Sequence, residues 1–212
     1  MNITGAIFDF DGTLFDSMPI WETVGQSYLE YIGIENAAEM APVFLNMNLW
    51  RAIRIANEKY GLQKSADEIR KDFYAHLQTR YLNEAKPKND ILPFLCKLQN
   101  MGVKMCIATA TDKAPVSAAL SKYGMLDYFG EIFTADSVGA GKTEPKMFRE
   151  ALKFLGTDKK STWIFEDALY SVRTAKKDGF PVVGVYDPSE PGADELKSLV
   201  DIYICRYNEL KI

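Results

Sequence analysis

Histidine is nearly missing from this chain: His76 is the single example in 212 residues. Cysteine is scarce too, with Cys96, Cys106 and Cys205 far apart and no Cys-x-x-Cys pair. A zinc site or a disulfide framework is therefore not expected, and Cys106, inside an apolar run, reads as a small core residue. Nowhere do about 18 apolar residues run together, and no basic region followed by a long apolar stretch opens the sequence. The expectation is a reduced, cytoplasmic protein with no membrane partner. Excess positive charge is lacking as well. Lys and Arg number 25 against 29 Asp and Glu, giving a net charge of −4 and a pI near 5.2. That balance argues against a nucleic-acid partner, so an anionic small substrate would need locally placed cations. Internal repeats and low-complexity segments are also absent. What is there is ordinary for a globular chain, 47% hydrophobic and 25% charged, long enough for one domain with a large insertion or for two small ones.

The chain is organised around residues 3–17. The apolar run Ala6-Ile7-Phe8 is short enough for one buried strand and ends in Asp9-Phe10-Asp11-Gly12-Thr13. Alternation along a strand sends Asp9 and Asp11 off its end on one side, where two carboxylates are costly unless a cation shares the site. Gly12 frees the turn, and Thr13 offers a hydroxyl and an amide beside the acids. An ordinary Asp-Gly turn is the plainer alternative.

Residues 17–86 carry helical spacing only. Trp21, Val24, Tyr28, Tyr31 and Ile32 trace one helix up to Gly33, and 49–60 trace another before Gly61. Ile69, Phe73, Leu77 and Tyr81 trace a third, with Ser65 and Glu68 placed as a capping box, and a short helix is expected over 37–45. From residue 87 helix and strand alternate, with strands expected at 103–108, 131–134, 162–165, 182–185 and 202–204. The fold class is α/β: a parallel sheet flanked by helices, formed by 1–14 and 87–212, with 15–86 as an all-helical insertion.

Ligands of open parallel sheets bind beyond the carboxyl ends of the strands. Those ends deliver Asp9 and Asp11, then Thr109-Ala110-Thr111, then Glu166-Asp167, with Lys142 between them on a glycine-flanked loop. Each fragment alone has a bland reading, as a helix cap, a solvated lysine or dipole-favoured acids. Together, in this order, they resemble the four motifs of the haloacid dehalogenase superfamily, and the insertion resembles the cap of its β-phosphoglucomutase-like subfamily. The third motif departs from the family's usual Lys-Pro-x-Pro-Asp, reading Lys142-Thr143-Glu144-Pro145-Lys146, and Ala168 stands where Ser is common.

The resemblance implies a Rossmann-like core with a helical cap, and phosphoryl transfer through an aspartyl-phosphate. It makes Asp9 the nucleophile and Asp11 the general acid and base. Thr109, Ala110, Gly12 and Lys142 would bind the phosphate. Mg²⁺ would be held by Asp9, by the Asp11 backbone carbonyl and by Asp167, with Glu166 close by. Trp21, Asn46, Asn48 and Arg51 are candidate cap contacts to a small phosphorylated substrate. A phosphatase is the expected activity. A mutase ranks second because Trp21 stands where β-phosphoglucomutase has a cap histidine, and a catalytically silent binding module ranks third.

Overall fold

The computed structural model describes residues 1–35, 37–40, 49–61 and 64–212. Contacts divide the chain into two compact units, Met1–Asp16 with Lys86–Ile212, and Ser17–Ala85.

In the first unit β1 (Gly5–Phe8), β4 (Lys104–Thr109), β5 (Ile132–Thr134), β6 (Thr162–Glu166), β7 (Val182–Val185) and β8 (Ile202–Ile204) form a parallel sheet in the order β5-β4-β1-β6-β7-β8. Phe8 at the end of β1 is level with Ile107 of β4 and Phe165 of β6. The chain leaves β1 for one side of the sheet first and the other side later, so the crevice beyond the end of β1, flanked by β4 and β6, is the topological switch point. β1 reads as an unbroken apolar run because both of its faces are covered. Ile7 packs with Cys106, Phe148 and Ile164 on one face, while Phe8 stacks on Phe165 at 4.3 Å and meets Phe129 at 5.9 Å on the other.

β2 (Phe15–Asp16) and β3 (Lys86–Pro87) make a small antiparallel pair. Two-residue strands carry no periodicity, so by pattern alone 15–86 reads as one insertion. Their pairing keeps Phe15, Asp16 and Lys86 with the sheet unit. The short helix Ala135–Val138, capped by Thr134 and Ser137, and the helix Ala193–Leu199 also lack enough turns to show in the pattern. The helix after β3 starts at Ile91, because Asp90 itself is left-handed at φ 65°.

Lys88, just beyond β3, reaches Asp187 at 2.7 Å and Asp16 at 2.8 Å, with only 12% of its side chain exposed. Burial pushes the Asp187 carboxyl up, but Lys88 and the hydroxyl and amide of Ser189 more than offset this and hold it below the usual carboxylate range. A carboxyl lowered by folding stabilises the fold above its unfolded pKa, and that contribution fades as pH falls through the folded value. Lys88→Met should therefore cost about 3 kcal/mol near neutral pH, by stranding the Asp187 carboxylate, and progressively less in acid. Denaturant midpoints measured from pH 7 down to pH 3 check both the size and the trend.

The second unit holds the helices Met18–Tyr31, Leu49–Tyr60 and Ala66–Glu84 and the 3-10 turn Ala37–Met40. The expected helix over 37–45 is a 3-10 turn as far as Met40, and its remainder lies outside the described residues. Ser65 and Glu68 form the expected capping box. Buried Ile69, Phe73, Leu77 and Tyr81 face Ile20, Val24 and Tyr28, with Tyr28 edge-on to Phe73 at 5.4 Å.

Candidate active site

The carboxyl ends of β1, β4 and β6 converge as the pattern of strands requires. Asp9 follows β1 directly, its amide donating to the Phe165 carbonyl at 2.9 Å, so the nucleophile candidate is tied to the neighbouring strand. Asp9, Glu166 and Asp167 are all buried, and each places a carboxylate oxygen within 4.8 Å of the others.

Lys142 joins this group. From its loop before the helix Lys146–Leu155 it threads a long stem inward until it is 3% exposed. Its ammonium pairs with Asp9 and donates to Glu166 Oε1 at 2.8 Å. Despite the altered motif around it, the lysine is a buried cation and not a solvated one. The other oxygen of Glu166, Oε2, accepts from the amides of Asp167 (2.8 Å) and Ala168 (2.9 Å). Glu166 is thus committed on both oxygens, and its evident work is to hold Lys142.

Asp167 is held from the other side. Thr13 Oγ1 donates to its Oδ1 at 2.7 Å. Gly12, at φ +77°, lies so close that a Cβ there would sit 2.1 Å from Asp167 Oδ2, so the turn admits no side chain. Asp9 Oδ2 and Asp167 Oδ2 accept no hydrogen bond among the described residues. The Asp11 carboxylate is not part of the cluster. It accepts from Thr111 Oγ1 at 2.6 Å, and the Thr111 amide in turn donates to Thr109 Oγ1 at 3.1 Å. Thr109 is fully buried, whereas Ala110 is exposed.

Three buried carboxylates thus share one ammonium. Burial, helped by Glu166 and Asp11 and opposed by Lys142, pushes the Asp9 carboxyl up to about 7. Burial and the negative neighbours Glu166 and Asp9 also raise Asp167 well above the carboxylate range, against the Thr13 hydrogen bond and Lys142. Lys142 is held charged: burial lowers its pKa, but Asp9 and Glu166 raise it further. The site is short of positive charge, and its open donors are hard oxygens, which fits a divalent ion such as Mg²⁺.

Of the cap candidates, Trp21 is half-buried, its indole donating to Tyr81 Oη at 2.9 Å within the helical unit, and Arg51 is exposed. Asn46 and Asn48 lie outside the described residues. His76 is 2.9 Å from Ser27 Oγ and stacks obliquely on Tyr31 at 5.1 Å, as a packing residue of that unit. Two further residues bear on the site without a sequence signal of their own: Thr111, beside Thr109 in the second motif, and Tyr207, near the C-terminus.

Buried acids and a lysine gather at the switch point of a parallel sheet flanked by helices, the arrangement of a Rossmann-like enzyme. Comparison with known proteins agrees. The chain belongs to the haloacid dehalogenase-like hydrolase family, whose model matches residues 6–185. It is 24% identical over 191 residues to the phosphoglycolate phosphatase of Neisseria gonorrhoeae, covering 87% of this chain and 80% of that one. It is 22% identical to the fructose-1-phosphate phosphatase YqaB of Escherichia coli, covering 85% and 95% of the two chains. Its fold matches CbbY from Rhodobacter sphaeroides, crystallised with phosphate, at a TM-score of 0.77 and 18% identity over 98% of this chain and 96% of that one. No helix among the described residues is long and apolar enough to cross a membrane.

Proposed function

We propose that this hydrolase is a Mg²⁺-dependent phosphatase of small phosphorylated metabolites, acting through an aspartyl-phosphate on Asp9. The observation that carries the reading is the buried group Asp9, Lys142, Glu166 and Asp167 at the strand ends: a carboxylate nucleophile with a cation fixed against it by Glu166, and a second acid, Asp167, able to retain a metal. Phosphatase names among the relatives support it.

The Asp9 carboxylate attacks phosphorus and the bond to the leaving oxygen breaks, while Asp11 donates the proton that oxygen needs. In the second half Asp11 takes a proton from water, which attacks the aspartyl-phosphate and returns Asp9 and inorganic phosphate. Thr111, by holding the Asp11 carboxylate, fixes where that proton is given and taken. Lys142 offsets charge on the phosphoryl oxygens, and Thr109 with the amide of Ala110 supplies donors for them, while the Gly12 amide, expected to join them, is taken by the Phe15 carbonyl at 2.9 Å. Asp9 and Asp167, with the Asp11 carbonyl, would hold Mg²⁺. The ion would supply charge neutralisation between the anionic nucleophile and its anionic target. The helical unit Ser17–Ala85 enters the chain between Asp11 and Thr109, as a cap does, and is read as the part that selects the leaving group.

Phosphate release from a panel of sugar phosphates, nucleotides and short polyol phosphates tests this. At least one substrate should be hydrolysed with Mg²⁺, and chelation should reduce the rate by about a hundredfold or more. Release that is indifferent to chelation, or absent across the panel, rejects the reading.

A further inference from the structure

The family match ends at residue 185, yet the chain returns to the site beyond it. After β8 the 3-10 turn Tyr207–Glu209 carries Tyr207, 1% exposed, its ring 5.1 Å from Phe94 and 6.3 Å from Phe165. A phenol buried among aromatic rings needs a partner for its hydroxyl. Tyr207 Oη finds it 194 residues away, donating to the backbone carbonyl of Thr13 at 3.0 Å.

That carbonyl lies in the tight loop between β1 and β2. The amides of Leu14 and Phe15 both bond to the Phe10 carbonyl, and the amide of Gly12 to that of Phe15. No described backbone amide serves the carbonyl of Thr13, so the tyrosine satisfies an acceptor that the loop's own bonds leave open. The same residue's side chain restrains Asp167 at 2.7 Å. A continuous chain of contacts therefore runs from the aromatic core, through one hydroxyl and one peptide, to a carboxylate of the acidic cluster.

We infer that Tyr207 is a positioning residue for the acidic site: by anchoring the Thr13 peptide it fixes the direction from which the Thr13 hydroxyl restrains Asp167, and with it the oxygen that Asp167 presents to the cation. The inference rests on the phosphatase reading above. It assigns to the C-terminal segment a part in cation binding, although Tyr207 touches neither substrate nor metal.

The test is Tyr207→Phe, which keeps the ring and removes the donor. Calorimetric titration of the substrate-free protein with Mg²⁺ should show the dissociation constant raised about fivefold, with kcat lowered by a similar factor and KM for substrate nearly unchanged. In a Thr13→Val background, where the hydroxyl that carries the effect is gone, Tyr207→Phe should weaken Mg²⁺ binding by less than about twofold. Unchanged Mg²⁺ affinity in Tyr207→Phe, even with a lowered thermal midpoint, reduces Tyr207 to a packing residue and overturns the inference. An equal loss in the Thr13→Val background overturns the route through Thr13. A wild type that neither binds Mg²⁺ nor releases phosphate overturns the phosphatase reading itself; one that does both beside an unaffected Tyr207→Phe leaves that reading standing and removes only this one.

Discussion

Asp9→Asn should remove phosphate release almost entirely, by about 10⁴-fold, while the protein stays folded. The amide has the shape of the carboxylate but lacks the charge and the nucleophilicity, so the step that forms the aspartyl-phosphate fails. Stability should move the other way. In the metal-free protein the Asp9 carboxyl sits near 7, lifted above its ordinary range chiefly by burial. A carboxyl whose pKa is raised by folding favours the folded state below its unfolded pKa and loses that favour as pH rises through the folded value. Metal-free wild type should therefore weaken between about pH 4 and pH 7, by an amount on the order of a few kcal/mol, and Asp9→Asn should lack this part of the decline. Thermal melts across that range, without and with Mg²⁺, read the effect, and added Mg²⁺ should narrow the gap by stabilising wild type more than the variant. Retained turnover in Asp9→Asn would remove Asp9 from its proposed role. Equal pH profiles would mean that the acidic group is not under the electrostatic load its burial implies.

How much of this could be read beforehand depends on the reach of each interaction along the chain. Ala6-Ile7-Phe8 running into Asp9 shows its strand and its strand end within a few residues, and Ser65 with Glu68 shows a helix start in four. The glycines that close successive helices mark the alternation from which the parallel sheet follows. Lys142 is marked as a site residue by its place among the four motifs, but taken alone it reads as a solvated loop lysine. Its burial depends on a stem long enough to reach Glu166, 24 residues on, and nothing local distinguishes it from a solvated residue. The Thr111 contact to Asp11 spans 100 residues and the Tyr207 contact to Thr13 spans 194, so each exists only once the sheet has formed. The β2 and β3 pair escaped for a different reason: two residues cannot show a period of two.

Lys142→Met should damage folding and catalysis together, because one ammonium balances a buried acidic group. Methionine fills much of the stem's volume, so the loss isolates the charge from the packing. Asp9 and Glu166 are then left as buried carboxylates without their cation, a situation that typically costs about 3–5 kcal/mol. Activity should fall by about a thousandfold, since the group that offsets phosphoryl charge is gone at the same time. The sign of the pH dependence follows from what remains. With Lys142 absent, the Asp9 and Asp167 carboxyls lose the cation that opposes their rise, and groups raised by folding stabilise at low pH and destabilise as pH climbs through their folded values. The deficit against wild type should therefore be largest above neutrality and shrink in mild acid, where the cluster can hold protons. Glu166→Gln in the same chain supplies the control. It removes one stranded charge while keeping an acceptor for the amides of Asp167 and Ala168, and the double variant should recover part of the stability lost by Lys142→Met without recovering activity. Urea midpoints of wild type, both single variants and the double variant at pH 6 and pH 8 test this. A double variant no more stable than Lys142→Met would show that the lysine's stem, and not its charge, holds the site together.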